Sequence, residues 1–315
     1  MPSPTPPGST ALPALALTGP GVERRSEIRG EEGLLERLLR TPTTRVLPLH
    51  RGRAQIVQAG DGVALLLRGP AITDAEEDLT VYLGEGGGTP YLGVALDGAG
   101  EPPPGTWVTL REVGARLAPV EASLWTTTMA LANWHATHRF CGRCGAGTVP
   151  AMAGWIRRCP ADDSEHYPRT DPAVIMSVID ADDRLLLARG AGFTSSGMSV
   201  LAGFVEPGET FAAAVAREVA EEVGIEVVDV RYLADQPWPF PSGLMVGCTA
   251  RAVTTEITLR DGEIASARWF TREELSAALA CGELTISGRV SIARRLIEHW
   301  YGGPLDAPEA ILRAL

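Results

Sequence analysis

Three glutamates on one short segment are spaced so that they could act together on a metal ion or substrate. In "LAGFVEPGETFAAAVAREVAEEVGIEV", which begins at Leu201, Glu218 is followed at i+3 and i+4 by Glu221 and Glu222. On a helix these positions share one face, so three carboxylates converge where only Arg217 is adjacent. A hard divalent cation would relieve their repulsion, and magnesium characteristically bridges carboxylates to substrate phosphates. The alternative is a solvated acidic surface, which is the common place of a charge run.

The same segment supplies the elements that would position these carboxylates. Valines at helical spacing give the helix an apolar face that can pack against a sheet. Glycines before the helix favour a tight loop, and a glycine after it suits the end of the helix. The valines are Val215, Val219 and Val223, and the glycines are Gly203, Gly208 and Gly224.

A cysteine cluster precedes this segment and has the spacing of a metal site. Cys141 and Cys144 form a C-x2-C pair, and Cys159 follows after fourteen intervening residues. A zinc ribbon would place a fourth thiolate at position 162, which is Asp162 here. Two nearby residues, Asp163 and His166, are alternative ligands. The spacing predicts a zinc ribbon with an uncertain fourth ligand, and the alternative is a set of buried or free thiols.

Composition restricts the class of protein. The net charge of −11 argues against broad electrostatic binding of nucleic acid. All 28 basic residues are arginine, so lysine-dependent catalysis is excluded. Five cysteines, an odd number, argue for a reducing compartment rather than a disulfide framework. No apolar run has the length of a membrane span, and the start of the chain lacks the basic region of a signal peptide. We therefore expect a cytoplasmic protein with no membrane partner.

The chain divides into four predicted stretches. They are a proline-rich flexible tail over 1–20, an N-terminal α+β domain over 21–132, the zinc-ribbon module over 133–170 and an α/β domain over 171–315. In the N-terminal domain, "RVLPLH", "VALLLRG" and "VYLGE" are strand-like, and "LWTTTMALANWHATHRF" has helical spacing.

The last stretch alternates strands and helices. "AVIMSVID", "RLLLARG", "MSVLAG", "VVDVRYLAD", "LMVGCTARAV" and "SARWFT" predict strands. Helices are predicted at the acidic segment, at "REELSAALA" and at "RVSIARRLIEHW". Strands bracketing helices in this way predict an α/β/α sandwich with a mixed sheet.

The acidic segment resembles the Nudix box. Gly203, five residues, Glu209, seven residues and then "REVAEEVGI" match that motif at every defined position. The resemblance implies a Nudix hydrolase that binds Mg²⁺ or Mn²⁺ to split a nucleoside diphosphate linked to another group. It makes Glu218, Glu221 and Glu222 metal ligands together with the carbonyl of Ala202. It also implies that Glu209 and Arg217 brace the loop by a salt bridge.

A second motif resembles the signature of NADH pyrophosphatases, SQPWPFPxS. Here the segment is "DQPWPFPSGLM", so Asp235 replaces the opening serine and Gly243 stands at the closing one. Alternating prolines would stiffen a loop that presents Trp238 and Phe240 for stacking on a flat ring. The substrate-binding residues implied in this segment are Gln236, Pro237, Trp238, Pro239, Phe240, Pro241, Ser242 and Gly243.

The resemblance to this family extends over roughly Trp134 to Trp300. The family also has a zinc ribbon directly before the Nudix domain, with a join similar to "HYPRTDPAVI". It implies substrate contacts for Tyr167, Phe204 and Ala293. Glu263 matches a further metal-binding or catalytic glutamate. In the family, subunits pair, so a homodimer is expected.

The function implied is metal-dependent hydrolysis of NAD(H) to AMP and nicotinamide mononucleotide. The resemblance extends this to removal of NAD caps from RNA. The general base is either Glu222 or Glu263, and the sequence does not choose between them. One alternative is a Nudix hydrolase of ADP-ribose or another dinucleotide. Another is a nucleotide-sensing binding module, although such a module need not keep the metal glutamates, all of which are present here.

Overall fold

The computed structural model describes residues 12, 15–60, 62–75, 79–96, 104–190, 196–259 and 262–307. The chain divides into two compact units. The N-terminal unit is Leu17–Thr170 together with Pro237–Gly243, and the C-terminal unit is Met1–Ala16, Asp171–Gln236 and Leu244–Leu315. Of the predicted flexible tail, residues 1–11, 13 and 14 lie outside the described residues. Leu12 and Leu15 pack against the core of the C-terminal unit.

Short strands and three helices make up most of the residues that the structure describes in the N-terminal unit. The helices are α1 (Leu34–Leu39), α2 (Leu110–Val113) and α3 (Pro119–Thr137). The first six strands are β1 (Arg45–Leu49), β2 (Ala54–Ala59), β3 (Gly62–Leu65), β4 (Leu79–Gly86), β5 (Thr89–Ala95) and β6 (Trp107–Val108). One sheet has β5 between β1, which is parallel to it, and β4, which is antiparallel. A second sheet has the order β3-β2-β6. The predicted strands at "RVLPLH" and "VYLGE" are confirmed.

The long helix α3 begins earlier than its apolar spacing predicts. It starts at Pro119, five residues before the predicted Leu124, and ends at Thr137. Proline suits the first turn because its missing N–H would have no partner within the helix. Trp125 and Trp134 are buried on this helix, so both are core residues.

The cysteine-rich segment forms a small three-stranded antiparallel sheet in the same unit. Its strands are β7 (Val149–Ala151), β8 (Ile156–Arg158) and β9 (Glu165–His166). The buried Arg157 ties this sheet to α3, because its Nη1 donates to Nδ1 of His135 at 2.9 Å. Nε2 of His135 lies 2.9 Å from the carbonyl oxygen of Gly154. His135 is therefore neutral, with its proton on Nε2.

The described part of the C-terminal unit contains a six-stranded sheet and three helices. Its strands are β10 (Asp171–Ile179), β11 (Leu185–Gly190), β12 (Gly197–Met198), β13 (Leu201–Phe204), β14 (Val227–Trp238), β15 (Gly243–Ala252), β16 (Ile264–Phe270) and β17 (Thr285–Ile286). Its helices are α4 (Phe211–Val223), α5 (Arg272–Ala280) and α6 (Ile292–Tyr301). The sheet order is β14-β15-β10-β11-β16, with β13 also paired to β10, while β12 and β17 form a separate parallel pair. None of the described helices has the length and apolar character required to cross a membrane.

Side chains that alternate along β10 pack into two separate hydrophobic cores. Val174 and Met176 of β10 pack in one core with the valines of α4. Ile175 of the same strand packs in the other core with residues of α5 and α6. Because successive strand residues point to opposite faces, helices cover both sides of the sheet. The predicted α/β/α sandwich is confirmed.

Two element predictions in this unit need correction. "MSVLAG" forms two short strands rather than one, because β12 pairs with β17 whereas β13 pairs with β10. The predicted loop from Asp235 begins later, because β14 continues to Trp238 and β15 starts at Gly243. Strand β14 lies at the sheet edge, where a proline such as Pro237 is tolerated.

Candidate active site

The acidic helix α4 borders a cleft of about 920 Å³ in the C-terminal unit. The helix is capped by Thr210, whose Oγ1 accepts from the N–H of Ala213 at 3.2 Å, and it ends at Gly224 with φ 72°. Predicted site residues in the lining are Ala202, Phe204, Arg217, Glu218, Glu221 and Glu263. Lining residues that the sequence did not indicate are Ala173, Glu206, Ala220 and Met245. Three of the predicted carboxylates, Glu218, Glu221 and Glu263, therefore face one concave surface.

Glu218 is the most enclosed carboxylate of this lining, with 14% of its side chain exposed. Burial raises the pKa of Glu218, and the neighbouring Glu221 and Glu263 act in the same direction. Arg217 opposes this shift through a hydrogen bond of 2.9 Å from Nη1 to Oε1. A cation bound in the cleft would favour the charged form, because it would offset both burial and repulsion.

Gly203 provides the space that the Glu218 carboxylate occupies. A Cβ at position 203 would lie 1.9 Å from Cδ and 2.0 and 2.2 Å from the two oxygens of Glu218. Gly203 lies within β13 and has no positive φ. The prediction that it serves a tight loop is therefore wrong, since the backbone needs no glycine and the carboxylate does. Gly208, with φ 94°, is the glycine that the turn requires.

The predicted salt bridge between Arg217 and Glu209 is present. Arg217 donates through Nε and Nη2 to the two oxygens of Glu209 at 2.7 and 2.9 Å. This pairing lowers the pKa of Glu209 to about 2. Nη2 also donates to the Phe204 carbonyl, and Nη1 donates to Oε2 of Glu221, both at 2.9 Å. One guanidinium thus ties the end of β13 to the acidic face of α4.

The remaining two carboxylates of the predicted metal set differ in exposure. Glu222 is buried, with 6% of the residue exposed, and is not among the described residues that line the cleft. Glu263 is exposed just before β16 and lines the cleft. The structure therefore brings Glu218, Glu221 and Glu263 to the cleft, whereas Glu222 lies at the buried side of α4.

The aromatic loop, defined as Pro237–Gly243, belongs to the N-terminal unit. The rings of Trp238 and Phe240 meet edge to face, with centroids 4.9 Å apart and planes at 67°. The guanidinium of Arg111 lies 4.9 and 4.0 Å from these two centroids. Asn133 of α3 donates to the carbonyls of Pro239 and Pro241, a contact that no sequence motif indicated. The two rings are therefore held by contacts that come from distant parts of the sequence.

Two residues that were predicted to contact the substrate are buried in the C-terminal unit. Gln236 is completely buried, and its amide bonds to the N–H of Ile292 and the carbonyls of Val290 and Ala16 at 2.7 to 2.8 Å. Ala293 is 2% exposed within the core around α6. By contrast, Tyr167 and Phe204 are 66% and 64% exposed. The side chains of Tyr167 and Phe204 are therefore accessible to a ligand. The buried side chain of Gln236 instead links β14 to the start of α6.

Asp162 occupies the fourth position of the cysteine cluster. Cys141 and Cys159 each accept a hydrogen bond at the carbonyl oxygen from the N–H four residues later, at Gly145 and Asp163, both at 2.9 Å. The two turns are alike, since the residues that donate these hydrogen bonds, Gly145 and Asp163, both have positive φ. Asp162 therefore stands in the second turn where Cys144 stands in the first. Asp163, one of the alternatives, is 91% exposed and lies 3.8 Å from Arg158.

Distances within the cluster fit a tetrahedral metal. The four ligand atoms lie within 4.8 Å of one another. Sγ of Cys144 and Cys159 are 3.5 Å apart, and Sγ of Cys141 is 3.6 Å from Oδ2 of Asp162. Two thiolates at 2.3 Å from a tetrahedral zinc would be about 3.8 Å apart. Ser164 orients Asp162, because its Oγ and N–H donate to Oδ1 at 2.5 and 3.0 Å. The cluster fits a structural zinc.

Comparison with known proteins agrees with these features. The NUDIX domain family matches residues 169–286. The NADH pyrophosphatase zinc ribbon domain matches 136–167, and the NADH pyrophosphatase-like rudimentary NUDIX domain matches 43–134. A crystal structure of a NUDIX hydrolase from Nitrosomonas europaea is 22% identical, covers 53% of this chain and 94% of that chain, and has a TM-score of 0.42. The fold and the site define a Nudix hydrolase.

Two relatives narrow this class. NAD-capped RNA hydrolase NudC of Mycobacterium bovis (strain BCG / Pasteur 1173P2) is 44% identical over 257 residues, which is 78% of this chain and 82% of that protein. NAD-capped RNA hydrolase NUDT12 of Homo sapiens is 42% identical over 197 residues, which is 59% of this chain and 43% of that protein. The chain belongs to the NudC family of Nudix hydrolases.

Proposed function

We propose that this protein hydrolyses the diphosphate of NAD(H) to AMP and nicotinamide mononucleotide, and that it also removes NAD caps from RNA. The observation that carries the proposal is the cleft, which is lined by Glu218, Glu221 and Glu263 together with Ala202 of β13. The intact QPWPFP core supports NAD(H) as the substrate class. The relatives named for hydrolysis of NAD-capped RNA support the second substrate.

The residues proposed to hold Mg²⁺ or Mn²⁺ are Ala202, Glu218, Glu221, Glu222 and Glu263. When bound, the metal would offset phosphate charge and lower the pKa of the attacking water. Water attacks one phosphorus of the diphosphate, and the bond from that phosphorus to the bridging oxygen breaks. Glu222 or Glu263 takes the proton of the water. The salt bridge between Arg217 and Glu209, together with the hydrogen bond from Arg217 to the Phe204 carbonyl, holds β13 and α4 in place.

Recognition of the dinucleotide is assigned to exposed and half-buried aromatic side chains. Trp238 and Phe240 present ring faces for stacking on a base or the nicotinamide ring. Further substrate contacts are proposed at Tyr167 and Phe204, which are exposed, and at the remaining predicted positions. Those positions are Gln236, Pro237, Pro239, Pro241, Ser242, Gly243 and Ala293.

The remaining assignments complete the proposal. We assign zinc a structural role, with Cys141, Cys144, Cys159 and Asp162 as ligands. Subunits pair as the family resemblance implies, and the free thiols favour a cytoplasmic, reducing location. The proposed boundaries remain a tail over 1–20 and domains over 21–132, 133–170 and 171–315.

The experiment that tests the function compares AMP release from NADH, NAD, ADP-ribose and NAD-capped RNA in Mg²⁺ or Mn²⁺. We expect NAD(H) and capped RNA to be cleaved faster than ADP-ribose. Glu222→Gln should lower turnover by orders of magnitude while folding survives. Its matched control is Glu273→Gln, the same change at an exposed position in the first turn of α5.

The alternatives give different results in this assay. Faster cleavage of ADP-ribose would identify a different Nudix substrate. Nucleotide binding with no release of AMP by the wild-type protein would identify a sensor.

A further inference from the structure

The aromatic loop has few donors with which to stabilise itself. Residues 237, 239 and 241 are prolines, which have no backbone N–H. Within the loop, the N–H of Phe240 donates to the carbonyl of Trp238 at 2.7 Å. The carbonyls of Pro239 and Pro241 accept hydrogen bonds from outside the loop.

Asn133 supplies both of those donors from one side-chain atom. Its Nδ2 lies 3.1 Å from the Pro239 carbonyl oxygen and 3.0 Å from the Pro241 carbonyl oxygen. Carbonyl oxygens can only accept, so the amide nitrogen must face them, and its two hydrogens match the two acceptors. Asn133 lies on α3, in the same compact unit as the loop.

The composition of the chain makes this position unusual. Asn133 is the only asparagine among 315 residues, and the chain contains no lysine. Serine or threonine would offer a single hydroxyl donor, and glutamine is one methylene longer. Asparagine is also a poor residue inside a helix. The double hydrogen bond to the loop is a physical reason for an asparagine at this place.

We propose that Asn133 is a positioning residue for substrate recognition. By holding the carbonyls on either side of Phe240, it fixes the angle at which the Trp238 and Phe240 rings meet. A loop that is ordered before binding loses less conformational entropy in the complex. This inference rests on the proposed role of the loop in binding the dinucleotide, and it assigns a task to the N-terminal unit that the sequence motifs do not.

The test removes the donors in two ways. Asn133→Leu removes both donors without adding charge, and Asn133→Asp preserves size while replacing the amide by an acceptor. The control is Gln58→Glu, which makes the same amide-to-carboxylate change at an exposed residue of the same unit, where Nε2 donates to the Gly60 carbonyl at 2.8 Å. Hydrogen–deuterium exchange follows the backbone amides of the loop, and steady-state kinetics with NADH gives KM and kcat.

In both Asn133 variants the backbone amides of Trp238 and Phe240 should exchange with deuterium faster than in the wild type. Each should raise KM about tenfold, the effect of losing two hydrogen bonds of ordinary strength, and leave kcat within about twofold. The control should match the wild type in exchange and KM. A loss confined to kcat, or faster exchange with unchanged KM, would overturn the proposal.

Failure of the proposed function would give a separate result. If the wild-type protein did not cleave NADH, the KM comparison would be made with the dinucleotide that it does cleave. Exchange of the loop amides would still show whether Asn133 orders the loop. Unchanged exchange in both variants refutes the positioning role whatever the substrate.

Discussion

Replacing Gly203 by alanine tests whether the position of one carboxylate governs catalysis. The new Cβ would lie 1.9 to 2.2 Å from the carboxyl atoms of Glu218, whereas real Cβ contacts under 3.0 Å are essentially never seen. The Glu218 carboxylate must therefore move by roughly 1 Å or more. The backbone does not have to move, because Gly203 lies in a strand conformation that alanine adopts.

The cost falls on chemistry rather than on folding. A misplacement of 1 Å at a reacting centre costs about 100-fold in rate, which corresponds to about 2.7 kcal/mol of activation free energy. The displaced atoms are the end of a flexible side chain, and a glycine-to-alanine change restricts the unfolded chain. We therefore expect the free energy of unfolding to stay within about 1 kcal/mol of the wild-type value.

The assay is the rate of AMP release as a function of Mg²⁺ or Mn²⁺ concentration, with denaturant unfolding of the same protein samples. Gly208→Ala is the control, because no described atom lies within 4 Å of its added Cβ but its φ of 94° is unfavourable for alanine. That variant should lose about 1–2 kcal/mol of stability and keep the metal dependence. Gly203→Ala with more than half the wild-type rate and an unchanged metal dependence would refute the reasoning.

Three further predictions concern the other sites. Burial lowers the pKa of His135 to about 4, so below pH 6.5 the unfolded chain binds a proton that the folded chain does not. The free energy of unfolding should then fall by about 3 kcal/mol between pH 6.5 and pH 4, and His135→Gln should flatten this dependence in denaturant titrations; an equal slope in the variant would contradict it. Asp162→Cys should lose zinc to a chelator more slowly than the wild type, because thiolate is the softer ligand; metal analysis of the wild type should find about one zinc per chain, and less than a tenth would mean that the ribbon folds empty. Trp238→Ala should weaken substrate binding by on the order of 1–3 kcal/mol, measured as KM for NADH; an unchanged KM would place recognition elsewhere.

The local features of the metal site could be predicted from the sequence. Glu218 and Glu221 share a face because helix geometry repeats every 3.6 residues, and this holds wherever the helix packs. The pairing of Arg217 with Glu209 spans eight residues, and the structure has it as the motif implied. The apolar run "AVIMSVID" likewise predicted a strand, which the structure has as β10. These are short-range regularities, which the chain carries in its own order.

Features that depend on distant residues were decided by the tertiary structure. Gly203 looked like a turn residue, but it is required because Glu218, fifteen positions later, occupies the space above it. Gln236 belongs to the QPWPFP signature, yet its side chain forms hydrogen bonds with Ala16 and with the start of α6. The C-x2-C spacing placed Asp162 at the fourth position, but its contact with Cys141, 21 residues earlier, depends on how the chain folds back.

Asn133 illustrates the same limit most clearly. It lies 106 residues before the first carbonyl that it holds. No periodicity or spacing connects those positions, and only the packing of α3 on the loop brings them together. Local sequence predicts which helices and strands form and which side chains share a face on each of them. Which of those side chains meet, and which are spent on the framework, depends on the three-dimensional packing, since a hydrogen bond requires donor and acceptor within about 3 Å of one another.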